Sequence, residues 1–302
     1  MLKSFSVSAG NFLRSFSVKA TSVVTLALLS GCLVHSNGGK TFFRETDSIH
    51  LYQPGDFIEY SVSGTFGTGI SAFHSVSGTL RIDWSSPNNP LLDPVTGSPV
   101  DVLKEISTLS VDGGEIKTVR YISQDADGTV HLHAYDKDST HSYWVNDAKS
   151  ASTTAAMNPV TLLQSPLVVS GISYSNTFYL FDDCNYPGGC PTYLGYQAET
   201  DKVESNNENV QTDPGVFNTF RVSFSGSKFV DPSSGISAFP IELDPRSSCG
   251  IGNDNFSGTA NFFPQVGVVA MYVSCISTAG PYFYYTFSFK HAGGSIVLPS
   301  PT

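Results

Sequence analysis

The sequence predicts an all-β fold: an antiparallel curved sheet or sandwich, with room for two similar lobes and two disulfides. Three observations carry this. Apolar residues recur at every second position, Gly- and Asp-rich turns separate the apolar runs at hairpin spacing, and no segment holds a sustained helical stripe.

In chain order, Ile58, Tyr60 and Val62 alternate with Glu59, Ser61 and Ser63. Val76, Gly78, Leu80, Ile82 and Trp84 fall on one face, with Ser75, Ser77, Thr79, Arg81 and Asp83 on the other. The Pro-rich stretch 85–99 reads as a longer loop. Asp112-Gly113-Gly114 and Asp125-Ala126-Asp127-Gly128 sit between strand-like runs and mark hairpins. A strand is expected over 129–136, and residues 146–157 read as a lobe boundary or one short helix. Phe220, Val222 and Phe224 alternate with Arg221, Ser223 and Ser225, and Phe283, Tyr285, Phe287 and Phe289 share a face near the end. Such strands have one apolar and one wet side, as in antiparallel sheets packed on one face. The chain divides into residues 1–31, a tether 32–40 and a β-domain 41–298, whose lobes would be 41–145 and 159–298.

The net charge is -10, and removal of residues 1–31 takes away three bases and no acid, giving -13. A strongly acidic surface disfavours nucleic acid and anionic lipid as partners. The five cysteines fall into one near the start, Cys32, and four in the second half, Cys184, Cys190, Cys249 and Cys275. An even set in an oxidising compartment implies two disulfides. Cys184–Cys190 with Cys249–Cys275 is favoured, because each pair closes a local loop and Asn185-Tyr186-Pro187-Gly188-Gly189 is turn-rich. A zinc site made of all four would need close CxxC pairs, which are absent.

The first 31 residues carry Lys3, Arg14 and Lys19, no acid, and a short apolar run at 23–29. A basic start, a brief apolar core and small residues before a cleavage point make a secretory signal, too short in its apolar run to span a bilayer. Leu29-Ser30-Gly31-Cys32 resembles the lipobox of bacterial lipoproteins. That resemblance implies cleavage before Cys32, diacylglyceryl transfer to its thiolate and three acyl chains, more than stable anchoring requires. Leu33 stands where an Asp would favour inner-membrane retention, so the resemblance implies an outer-membrane destination.

Four further segments, 52–60, 165–171, 213–222 and 264–269, resemble turn-plus-strand motifs of a group of secreted bacterial β-proteins of unassigned function. Phe57 and Ile58 stand where the group usually has Trp. The resemblance implies a curved antiparallel sheet or sandwich and brings no catalytic residue.

Chemistry finds little footing. No Gly-x-Ser-x-Gly elbow is present, and Gly171-Ile172-Ser173-Tyr174-Ser175 lacks the closing Gly. His131 and His133 are two apart in one predicted strand and His141 begins the next, so three imidazoles on one sheet face form a metal candidate for zinc or copper, set against an ordinary polar hairpin face. Asp125–Gly128 and Gly250–Asn255 have oxygen-rich loops that read as turns before they read as calcium sites. Tyr272, Tyr282, Tyr284 and Tyr285 cluster late in the chain, and outward tyrosines on a sheet suit either sugars and proteins or cross-strand packing.

The expectation is therefore a lipid-anchored outer-membrane lipoprotein with a non-catalytic binding or envelope-assembly role and no cofactor. Its partners would be the membrane, through Cys32, and an envelope protein or glycan. Two alternatives stand beside it: a clamp enclosing a hydrophobic ligand or lipoprotein, and a secreted hydrolase.

Overall fold

A computed structural model describes residues 35–37, 40–42, 49–67, 73–137, 142–147, 157–169, 173–234, 254–276 and 282–298. Its strands, in chain order, are β1 (His35–Asn37), β2 (Lys40–Phe42), β3 (Phe57–Gly67), β4 (Phe73–Ser85), β5 (Leu91–Leu92) and β6 (Pro99–Val100). Then follow β7 (Leu103–Val111), β8 (Gly114–Gln124), β9 (Val130–Asp136), β10 (Ser142–Asn146), β11 (Val160–Leu163) and β12 (Ser173–Asp182). The last are β13 (Thr192–Thr212), β14 (Gly215–Val230), β15 (Asp254–Phe263), β16 (Gly267–Ile276) and β17 (Tyr282–Gly293). The fold is all-β.

The long strands form a closed antiparallel barrel of twelve, not an open sheet or a sandwich. Closure comes from β10, which pairs with β12 on one side and with β9 on the other. Alternation alone could not reveal this, because a strand in a sandwich and one in a barrel show the same period-two pattern. Residues 41–145 and 159–298 each supply six strands to the ring, joined at β17–β3 and β10–β12 around one shared core. Two small ladders lie outside it: β1, in the stretch expected as tether, with β2 at the tether's end, and β5, inside the predicted Pro-rich loop, with β6 at that loop's end.

The barrel is apolar inside. Tyr60, Leu80, Ile82, Phe220, Phe287 and Phe289 are fully buried, each worth roughly 1.5–3 kcal/mol of burial. Their neighbours along the strands, such as Ser61, Thr79 and Ser288, turn outward. A membrane-spanning barrel has the reverse arrangement, with an apolar band outside. Glycines let the large rings fit. Phe224 faces Gly258 and Phe256 faces Gly226 across the β14–β15 ladder, and a Cβ on either glycine would come within 2.3 Å of the opposing ring.

Charge enters the core in two places. Glu105 and Arg120 pair across β7–β8 as a fully buried, two-point salt bridge, with the guanidinium Nε on one carboxylate oxygen and Nη2 3.3 Å from the other. Burial pushes the Glu105 carboxyl up while Arg120 pulls it down. On the β13–β14 wall, Gln197, Glu199 and Lys228 are buried together.

One end of the barrel is covered by the segment before β3. Ile49 N donates to Asp127 O at 3.3 Å, Tyr52 N to Gln124 Oε1 at 2.8 Å and Tyr52 Oη to Val266 O at 3.2 Å. The Tyr52 ring stacks on Trp84 with centroids 3.7 Å apart. Phe217, near the start of β14, packs against Phe263 and Phe289 at the same end of the barrel. The predicted turn at Asp112-Gly113 joins β7 to β8 with both residues at positive φ, 49° and 79°, the conformation a two-residue hairpin requires.

Candidate functional site

The outer side of β8, β9, β10 and β12 is built over by two loops. The stretch 86–102, carrying β5 and β6, folds back onto the barrel wall, and the loop 183–191 meets it there. Asp93 fixes the first: its Oδ1 accepts from the amides of Val95 and Thr96 at 2.9 and 2.8 Å, and its Oδ2 from Met157 N at 2.8 Å. The Cys184–Cys190 disulfide fixes the second, as the sequence predicts. The loops are tied together where Gly189 N donates to Pro94 O at 3.2 Å. The Tyr186 ring also lies over Gly97, where a Cβ would meet it at 3.1 Å. Under them sits a second, smaller core of Ala134, Trp144, Met157, Phe181 and Cys190.

Between the loops and the wall lies a groove of about 770 Å³, within the size range of ligand sites. Pro87 to Leu92 form one side, and Cys184, Asn185 and Tyr186 the other. Lys104, Tyr121, Asp136, Ser142 and Trp144 line its base. Tyr121 Oη donates to Asp136 Oδ1 at 2.7 Å, and Lys104 Nζ lies 3.5 Å from Asp136 Oδ2. Burial, then the carboxylate, pushes the Tyr121 phenol up, so it stays a donor at neutral pH. Tyr186 and Leu92 are largely exposed at the rim. The base thus offers an ammonium, a carboxylate and hydroxyls, with an aromatic ring and prolines at the sides. That set can hold a polar ligand by hydrogen bonds and stack its apolar face.

Of the three histidines of the metal candidate, the structure describes His131 and His133. His131 Nε2 is 3.0 Å from Asp125 Oδ2 and its Nδ1 is 3.3 Å from Thr161 Oγ1. His133 lies at an irregularity of the β8–β9 ladder, with Nε2 2.8 Å from Ser123 Oγ. His141 lies outside the described residues. Among those residues no group of three His, Cys, Asp or Glu has a metal-binding arrangement. Asp125–Gly128 forms a tight turn, with Thr129 N donating to Asp127 Oδ1 at 2.9 Å. Cys32 and Cys249 also lie outside the described residues, as do the side chain of Cys275 and residues 250–253. The pairing Cys249–Cys275 and the lipid on Cys32 therefore have no structural description.

The Ser123–His133 contact has the form of a nucleophile and base, with Asp93 close enough to act on the imidazole electrostatically. Three features speak for packing instead. His133 is buried under the hairpin, its burial pushes it down to about 4, and both Asp93 oxygens are taken by backbone amides. A general base works best near the operating pH, and this one is far below it.

A smaller cavity of about 210 Å³ opens where β11 and β12 part. There β12 pairs with β10 only at Tyr179–Phe181, and the Asn176 amide bridges to Thr161 O at 2.9 Å. Leu163, Leu167, Val203 and Val222 line it beside Tyr174 and Asp201. It is smaller than ordinary ligand pockets.

Sequence reasoning reached the groove's two walls, through the Pro-rich stretch and the cysteine pair, but not its base. Lys104, Tyr121, Asp136 and Trp144 come from four strands, and only the barrel's register puts them side by side.

No family model and no curated protein matches the chain. Among solved structures it is similar to a Bacteroides fragilis protein, thought to be exported and described as having a YmcC-like fold. The two share 10% identity over 81% of this chain and 99% of that one, with a TM-score of 0.36. A likeness that weak carries no argument about fold or function.

Proposed function

We propose that the chain is a lipid-anchored, non-catalytic binding protein of the bacterial outer membrane, tethered through Cys32, with its ligand seat in the outer groove. The observation that carries the reading is the groove itself: a disulfide, a buried Asp93 and a backbone bond between loops hold open a 770 Å³ site over a polar base. Preorganised walls of this kind lower the ordering cost of binding. The only carboxylate among the lining residues, Asp136, is engaged by a phenol and an ammonium, which suits holding a ligand more than moving a proton. The packed interior supports a seat on the outside over the enclosed clamp.

The test has two arms. Cys32→Ser should release the protein from membranes; retention after a high-salt wash would end the anchor assignment. A photo-crosslinking residue at Leu92, on the groove's rim, should capture an envelope component in intact cells, whereas the same group at Ser61, on the opposite wall, should give a different pattern. Identical patterns from both positions would remove the groove from the reading.

A further inference from the structure

We propose that the outer face of β14–β17, β3 and β4 is a docking surface for a neutral polysaccharide, with the Tyr272–Tyr284 pair as its aromatic platform. This does not rest on the groove, which lies on the other side of the barrel.

The platform comes first. Tyr272 on β16 and Tyr284 on β17 stand on the outer face with ring planes 26° apart and centroids 6.4 Å apart. Tyr272 is 41% exposed, although most tyrosines of the chain are buried or half-buried. Around the pair, the strand register aligns hydroxyl side chains into two rows. One row runs Ser225, Ser257, Ser274, Tyr284, Thr65, Ser75, each paired with the next across successive strands. The adjacent row runs Ser223, Thr259, Tyr272, Thr286, Ser63, Ser77 in the same way. All twelve positions bear a hydroxyl and none bears a charge, in a chain of net charge -10. At its border Lys202 stands opposite Ser223 on β13, Arg221 is held by Glu204 and Glu208 at 3.3 and 3.4 Å, Lys290 pairs with Glu59 at 2.8 Å and Arg81 with Asp83 at 2.7 Å. Beside the platform, Ala198 and Gly226 leave a hollow of about 440 Å³ between β13 and β15, rimmed by Thr200, Ser225 and Ser257.

The chemistry selects the occupant. A hydroxyl both donates and accepts, so these rows match a ligand that is itself made of hydroxyls. Rows are about 6.8 Å apart along a strand and neighbouring hydroxyls roughly 4.8 Å apart between strands, close to the length of one sugar unit. Stacked tyrosines offer the flat ring face against which the C–H face of a sugar packs. A polyanion would find Arg221, Lys290 and Arg81 at the border already paired with carboxylates, so most of its charge would be desolvated without compensation. A protein partner would meet no apolar centre of the kind that interface cores have.

Affinity electrophoresis of the purified protein through gels containing linear neutral β-glucan, neutral mannan or acidic alginate tests this. The proposal expects retardation by at least one neutral polymer and none by alginate. It also expects the double variant Tyr272→Ala, Tyr284→Ala to lose retention at least tenfold, and Ser63→Glu to lose it about fivefold, with unchanged circular dichroism. No retardation by either neutral polymer, retention unchanged in the double variant, or stronger binding to alginate would overturn it. So would sedimentation showing a dimer that the tyrosine variants dissolve, which would give the face to a second copy of the chain.

Discussion

The two sides of β8, β9 and β10 put one stretch of backbone to opposite uses. Inward, Ile122, Val130, Leu132 and Val145 are fully buried in the barrel core beside the Glu105–Arg120 pair. Outward, Tyr121, Asp136 and Trp144 meet loops held by a disulfide and a buried carboxylate, and leave space between. The inside is filled and the outside is furnished. The comparison teaches that the barrel acts as a frame: its rigidity comes from what it encloses, and its capacity to bind from what its strands present to the loops.

The largest expected effect breaks the inside. Glu105→Ala removes the carboxylate that pairs with buried Arg120 and should cost about 3–5 kcal/mol by urea denaturation. Replacing both, Glu105→Met with Arg120→Met, should recover most of that loss; no recovery would mean the pair is needed for more than mutual neutralisation.

Next comes the wall itself, through pH. Burial pushes the His133 imidazole down to about 4 in the folded chain from an ordinary 6.5, so the unfolded chain binds a proton first as pH falls. Its contribution is fully present above pH 6.5 and is lost between there and about 4, amounting to about 3 kcal/mol. His133→Gln should flatten that part of the stability–pH curve, as read from denaturation midpoints at pH 7 and 4.5.

On the furnished side the effects are smaller and local. Replacing Cys184 and Cys190 by Ser should cost about 2 kcal/mol and expose the 184–190 loop to protease, while the barrel keeps its circular dichroism. Tyr186→Ala, at a side chain 61% exposed, should change stability by less than about 0.5 kcal/mol yet abolish capture of partners at the groove. If that substitution instead unfolds the barrel, the division between frame and furnishing fails.

Much of the frame was legible in the sequence. Ile58, Tyr60 and Val62 face inward and Ser61 and Ser63 outward as their alternation requires, and Asp112-Gly113 turns where a type I′ hairpin needs positive φ. Closure was not legible, because it depends on the five-residue strand β10 finding edges on both β9 and β12. The Glu105–Arg120 pair was invisible for a related reason: each residue sits where alternation predicts an apolar side chain, and only the β7–β8 register reveals its partner. Of the groove, the Pro-rich and cysteine-bearing walls announced themselves through chain chemistry. Its base did not, since Lys104 and Asp136 are 32 positions apart in numbering and meet only across the sheet.

The central claim is that the barrel interior is packed and binding takes place outside. Titration of the purified protein with a fluorescent long-chain fatty acid tests it most directly. The account predicts no saturable signal at micromolar probe, because the 210 Å³ opening beside β11 is too small to admit an acyl chain. Saturable one-to-one binding, weakened by Val203→Trp or Leu163→Trp, would contradict it and restore an enclosed hydrophobic-ligand site.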